Sequence, residues 1–161
     1  APPSPVWRSE EGFLGESEAT RQIAVDGELD LFRCFPDLET SELVALHLKS
    51  RRVLGLQIKT IGVDADRPAG TVSILASSFR PSPTTRFVVL GWLRDEKRFH
   101  EECLFIPSNE IPGACEPSDR TGHLEFDWHP GSSAASHLDR FRRPLSTLAT
   151  EVRAAIAAGS G

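Results

Sequence analysis

Two short segments, about thirty residues apart, carry side chains with the makings of a reactive site. Asp26-Gly27-Glu28-Leu29-Asp30 opens one extended run, and Leu56-Gln57-Ile58-Lys59-Thr60 lies inside another. Asp26, Glu28 and Asp30 alternate along the chain, so on a strand they share one face, and Gln57 and Lys59 do the same. If the two strands are neighbours, carboxylates, an amide and an ammonium meet at one point. Metal-dependent hydrolysis of a phosphodiester uses such a set: hard oxygen ligands for Mg2+ or Mn2+, and a cation beside the attacking water.

A plainer reading competes for each part. Asp-Gly is a common turn dipeptide, and Glu28 and Asp30 then simply face solvent. Gln57 and Lys59 would similarly be the polar face of an edge strand. Val-Leu-Gly-Leu-Gln-Ile-Lys-Thr-Ile argues against the second of these, because its apolar flanks predict burial on both faces. A lysine in such a strand needs a partner, since an isolated buried ammonium is costly. The acids of the preceding strand are the expected partners.

The elements that must hold these groups are read from the pattern around them. Residues 1–17, rich in Pro, Ser and Glu, are expected to be a loose linker, with one domain over 18–158 and a linker remnant at 159–161. Ala19 to Phe35 reads as extended, with Gly27 as a bulge and Pro36-Asp37 as its end. Glu42 to Lys49 suits either a strand (Val44, Leu46, Leu48) or a helix. Strands are expected at 53–61, 71–77, 86–93, 102–106 and 123–128, with a short helical turn at 107–111 capped by Ser108. Ser136 to Ala158 has apolar residues at near-helical spacing and predicts a long C-terminal helix, kinked by Pro144 near Arg142. The fold class expected is α/β or α+β, a mixed sheet of five to seven strands flanked by helices.

The chain has 161 residues, enough for one domain with a full core, and no apolar run approaches the length of a membrane span. Its net charge of −5 confines any nucleic-acid binding to a local basic patch. Lys49-Arg51-Arg52 and Arg140-Arg142-Arg143 are the two candidates, each with a solvated face as the plainer reading. Three cysteines leave one unpaired, which favours a reducing, cytoplasmic setting. The Ala-Pro-Pro-Ser-Pro start and Gly-Ser-Gly end suggest an excised domain, or a mature secreted chain as the alternative. Cys103, Cys115, His123 and His129 lack the spacing of a zinc knuckle, so buried cysteines and surface histidines are expected instead. No nucleophile elbow, phosphate-binding loop or dinucleotide fingerprint occurs.

Ala24-Val25-Asp26-Gly27, followed by a strand and Leu56-Gln57-Ile58-Lys59-Thr60, resembles the PD-(D/E)xK restriction-endonuclease-like superfamily. The variant it resembles carries Gln for the second acid, as in Mrr-like and related prokaryotic domains. The resemblance is best over 21–61 and continues weakly through Phe87–Leu93 and Leu104–Pro107. It implies a restriction-endonuclease-like sheet and a Mg2+- or Mn2+-dependent deoxyribonuclease of a prokaryotic antiviral defence or restriction system. Asp26, with Asp30 as the alternative register, would be the metal-binding acid, and Gln57 and the Ile58 carbonyl further ligands. Lys59 would orient the water, and Glu28 would hold a second metal or tune Lys59. DNA is the implied partner, with recognition from other domains or subunits and a homodimer cutting both strands. The Pro-rich start predicts that the acid-bearing helix usual before the first motif strand is missing. The neutral Gln57 leaves a catalytically inactive, binding-only domain as the alternative.

Overall fold

The computed structural model describes residues 5–38, 41–116 and 122–159, with side chains at 10–34, 43–116 and 122–159. Its centre is β3 (Val53–Val63), part of a seven-stranded mixed sheet. β1 (Leu29–Leu38), β2 (Ser41–His47) and β3 form an antiparallel meander. On its other side β3 runs parallel to β5 (Thr85–Leu93), from Gly55↔Thr85 to Val63↔Leu93. The short β6 (Arg98–Phe99) and then β7 (Glu102–Pro107) pair with β5, and β9 (Arg142–Pro144) pairs with β7. The crossover between the parallel strands passes through β4 (Gly70–Leu75), which forms a separate two-stranded ribbon with β8 (His123–Trp128).

Alternation on β3 divides the core in two. Leu54, Leu56 and Ile58 point to a layer built from α1 (Pro5–Ala24) and α3 (Leu148–Ala158), with Ala19, Ile23, Leu148, Val152 and Ile156 packed over them. Ile61 and Val63 point the other way, into Val72, Ile74, Phe126 and Trp128 of the β4/β8 ribbon and Ile111 of the four-residue α2 (Ile111–Ala114). We refer to these as the helix face and the ribbon face. The fold class is the mixed α/β sheet that the strand pattern predicted.

Three expectations are corrected. The segment expected to be loose folds, from Pro5 on, into the twenty-residue α1, which also takes Ala19–Ala24 from the extended run. Proline at a helix start loses no hydrogen bond. The buried stripe of α1 is Glu11, Gly15, Ala19 and Ile23, one residue every four, with a single long aliphatic side chain in it. Second, Pro36 and Asp37 lie within β1 rather than ending it. Third, the C-terminal helix begins at Leu148, because Arg142–Pro144 is extended and adds β9 to the sheet edge. Ser108 is also not a cap: its buried hydroxyl donates to the Ser82 carbonyl and accepts from the Ser82 N–H, pinning the loop that leads into β5.

α1 is seated by contact and by charge. Gly15 lies so close to Thr60 of β3 that a Cβ there would fall 3.0 Å from the Thr60 Cβ. Glu11, 7 % exposed, accepts a bidentate pair from Arg94 at the end of β5, Nε at 2.6 Å and Nη2 at 3.1 Å. Arg94 also lies 3.5 Å from Asp64, in the loop after β3. The hydrogen bond to Glu11 raises the Arg94 pKa. Asp64 is held below the usual carboxylate range, chiefly by the Arg67 N–H and then by Arg94. Removing one partner of such a buried pair strands the other charge. Arg94→Ala is therefore expected to cost about 3 kcal/mol in urea unfolding at pH 7, and Glu11→Leu/Arg94→Met distinctly less than either single removal.

Candidate functional site

β3 pairs with β2 from Val53 to Leu56 and with β5 from Gly55 to Val63, and its faces pack into the two core layers, so its backbone is held in place. Gln57 and Lys59 fall on its ribbon face, with Ile58 between them on the helix face in the core. Their register partners on β5 are Phe87 and Val89, both buried and apolar. Gln57 is 4 % exposed and Lys59 is half-buried. The structure thus brings the amide and the ammonium to one face, about 7 Å apart along the strand.

The predicted acids are not with them. Asp26 sits in the turn between α1 and β1, on the helix face. Its Oδ2 lies 2.8 Å from Arg153 Nε of α3, and its Oδ1 accepts the Glu28 N–H at 2.9 Å. Glu28 is held by the same guanidinium, 3.1 Å from Nη1. These acids fasten α3 to the start of the sheet, and both Asp26 carboxylate oxygens are engaged. Asp30 lies on β1 opposite Leu46, whose partner on β3 is Val53. Parity puts it on the ribbon face with Gln57, but at the far end of the sheet. It is about 13 Å away along β3 and about 10 Å across two strands. The meeting of Asp26, Asp30 and Glu28 with Gln57 and Lys59 is therefore corrected: only the last two share a site.

The β2–β3 ladder runs from Leu46↔Val53 to Leu43↔Leu56. Beyond Leu56 the ladder of β3 continues with β5 to Val63, so Gln57 and Lys59 lie just past the point where the β2 ladder ends.

Among the described residues, no group of three or more His, Cys, Asp or Glu side chains gathers to hold a metal. The zinc reading fails on topology: Cys103 lies in the core of the helix face, and Cys115 packs against the ribbon-face core. Cys34, on β1, is half-buried rather than in the core. No described helix is long and apolar enough to cross a membrane. The sequence matches no known family profile and no curated protein.

Burial pushes the Cys103 thiol up to about 12 and the Cys115 thiol up to about 11. At pH 8 about one Cys115 thiol in a thousand is then ionised, and thiolate is the reacting form. A Cys34→Ser variant should react with Ellman's reagent at pH 8 only on the timescale of unfolding. Two rapid equivalents from the native variant would show both sites open.

Proposed function

We propose that this chain is a metal-dependent endonuclease domain of the PD-(D/E)xK restriction-endonuclease-like kind, cleaving phosphodiester bonds of DNA. The observation that carries the reading is the Gln57–Lys59 pair on one face of a central strand, with Gln57 almost wholly buried. The mixed sheet and the acid-bearing α1 seated on β3 support it.

The Gln57 amide oxygen and the Ile58 carbonyl are hard oxygen donors of the kind Mg2+ or Mn2+ takes. Such an ion, when bound, polarises the phosphoryl oxygen and lowers the pKa of a coordinated water. The chain's own contribution is positional. β3 fixes the backbone of Gln57 and Lys59 through its ladder with β5. Lys59 holds the attacking water in line by hydrogen bonding and offsets negative charge as the water oxygen bonds to phosphorus. Phe87 and Val89 keep the floor of the site dry, which strengthens these charge interactions. The reading extends to a module of a prokaryotic defence or restriction system, with sequence recognition supplied by another domain or subunit and double-strand cleavage by a homodimer. A second reading, binding without cleavage, is favoured by the neutral Gln57, a weaker ligand than a carboxylate.

Nicking of supercoiled plasmid in Mg2+ or Mn2+, with EDTA as control, separates the two. Lys59→Ala should reduce nicking at least about a hundredfold, with the thermal midpoint unchanged. Asp26→Asn should leave the rate within about twofold while lowering stability. A wild-type chain that binds DNA and never nicks it supports the binding-only domain; a Lys59→Ala variant of full activity removes the proposal.

A further inference from the structure

We infer that the β2–β3 turn, Leu48 to Arg52, is a phosphate-backbone clamp that grips nucleic acid several nucleotides from the Gln57–Lys59 site; this deepens the nuclease reading and rests on it. The turn presents Lys49 and Arg51 to solvent, with Arg52 beside them. The arginines of α1, β1, β9 and α3 at 21, 33, 142, 143 and 153 all sit within ion-pair distance of a carboxylate. Among the described residues, no carboxylate comes within that distance of Lys49, Arg51 or Arg52; Lys59, Arg67, Arg80, Arg86 and Lys97 share this, but only in the turn do such cations fall side by side along the chain. Carboxylates are nevertheless close by. The Leu48 N–H donates to the Glu28 carbonyl, which brings the acidic α1–β1 turn against the basic one. Arg153 pairs with both Asp26 and Glu28 and offsets one of their two negative charges, and neither acid lies within ion-pair distance of the turn.

The turn is also built to hold these cations in place. Arg51 has φ of 62°, a left-handed conformation that glycine or asparagine adopts more readily. The Arg51 N–H donates to the His47 carbonyl, and the Ser50 hydroxyl bonds both the His47 ring and the Arg52 N–H. The Arg52 guanidinium lies against Gly159 at the end of α3, where a Cβ would fall 3.1 Å from Nη2. Arg52 anchors the turn, and Lys49 and Arg51 are left facing outward. An unneutralised, ordered pair of cations on a chain of net charge −5 is the footprint of a polyanion contact. Position selects nucleic acid over an acidic protein. Arg52 leads directly into β3, and Gln57 lies five residues on, roughly 17 Å away along the strand. A nucleic-acid strand that reaches the Gln57–Lys59 site from this end of β3 therefore passes the turn within a few nucleotides.

The test is fluorescence anisotropy with a labelled DNA duplex of about twenty base pairs, in EDTA, on the Lys59→Ala background so that cleavage is absent. Lys49→Ala/Arg51→Ala should lower affinity at least about tenfold near 0.1 M salt and flatten the slope of log K against log salt by about two. A salt slope equal to that of the parent overturns the clamp, as does a parent that binds heparin or an acidic peptide but no duplex. Plasmid nicking by chains that retain Lys59 keeps the two readings apart. Binding that shows the slope change without nicking by wild type leaves the clamp and removes the nuclease. Nicking by wild type with an unchanged slope does the reverse.

Discussion

β3 packs into both core layers, pairs with β2 as far as Leu56 and with β5 from Gly55 on, and the rest of the molecule is arranged around it. Its helix face needs Leu54, Leu56 and Ile58 buried, which demands two helices of suitable shape. Its ribbon face needs Ile61 and Val63 buried, which demands the β4/β8 ribbon. Parallel pairing with β5 demands a crossover, and β4 lies in that crossover, so the link and the second layer are one piece of chain. A strand confined in this way offers no slack to its polar residues. That rigidity makes it a good carrier for chemistry, since reacting groups lose little orientation to thermal motion.

Charge is distributed to serve the same end. Arg94 ties Glu11 of α1 to the far end of β5, and Arg153 ties Asp26 and Glu28 to α3. Both clamps work on the helix layer and leave the ribbon face of β3 free of competing carboxylates from those elements. The Arg153 clamp also offsets one of the two negative charges nearest the β2–β3 turn, which carries Lys49, Arg51 and Arg52.

The parts legible in the sequence were those where one signal dominated. β3, β5 and β8 stand out as apolar runs bounded by polar turns, and β8 falls at His123–Trp128 as read. α1 was hidden because its buried stripe is built from small residues and a glutamate. Close approach to β3, not apolar bulk, is what the stripe provides, and hydropathy does not register approach. The C-terminal segment misled in the opposite sense. Leu138, Phe141 and Leu145 are buried at helical spacing, yet they come from 3-10 turns and the edge of a strand, because Pro144 fixes an extended backbone between them. Within the site, Gln57 and Lys59 were visible as polar interruptions of a buried strand. The acids were misplaced because Asp26-Gly27-Glu28 imitates an alternating strand while forming a turn, and where Asp30 falls relative to Gln57 depends on the β1–β2–β3 register, a property of paired strands.

The amide at position 57 follows from the same confinement. A carboxylate there would be almost wholly removed from water, beside Phe87 on β5. Desolvation would hold it protonated unless a cation were always present. Glutamine removes that penalty, so the strand is stable without a bound ion. On the proposed nuclease reading, the cost would fall on affinity for the cation, because a neutral oxygen holds Mg2+ less tightly than an ionised one. The substrate phosphate would then supply the negative charge that the chain leaves out, and contacts that deliver DNA from a distance would gain in importance as the affinity of the site for metal alone falls.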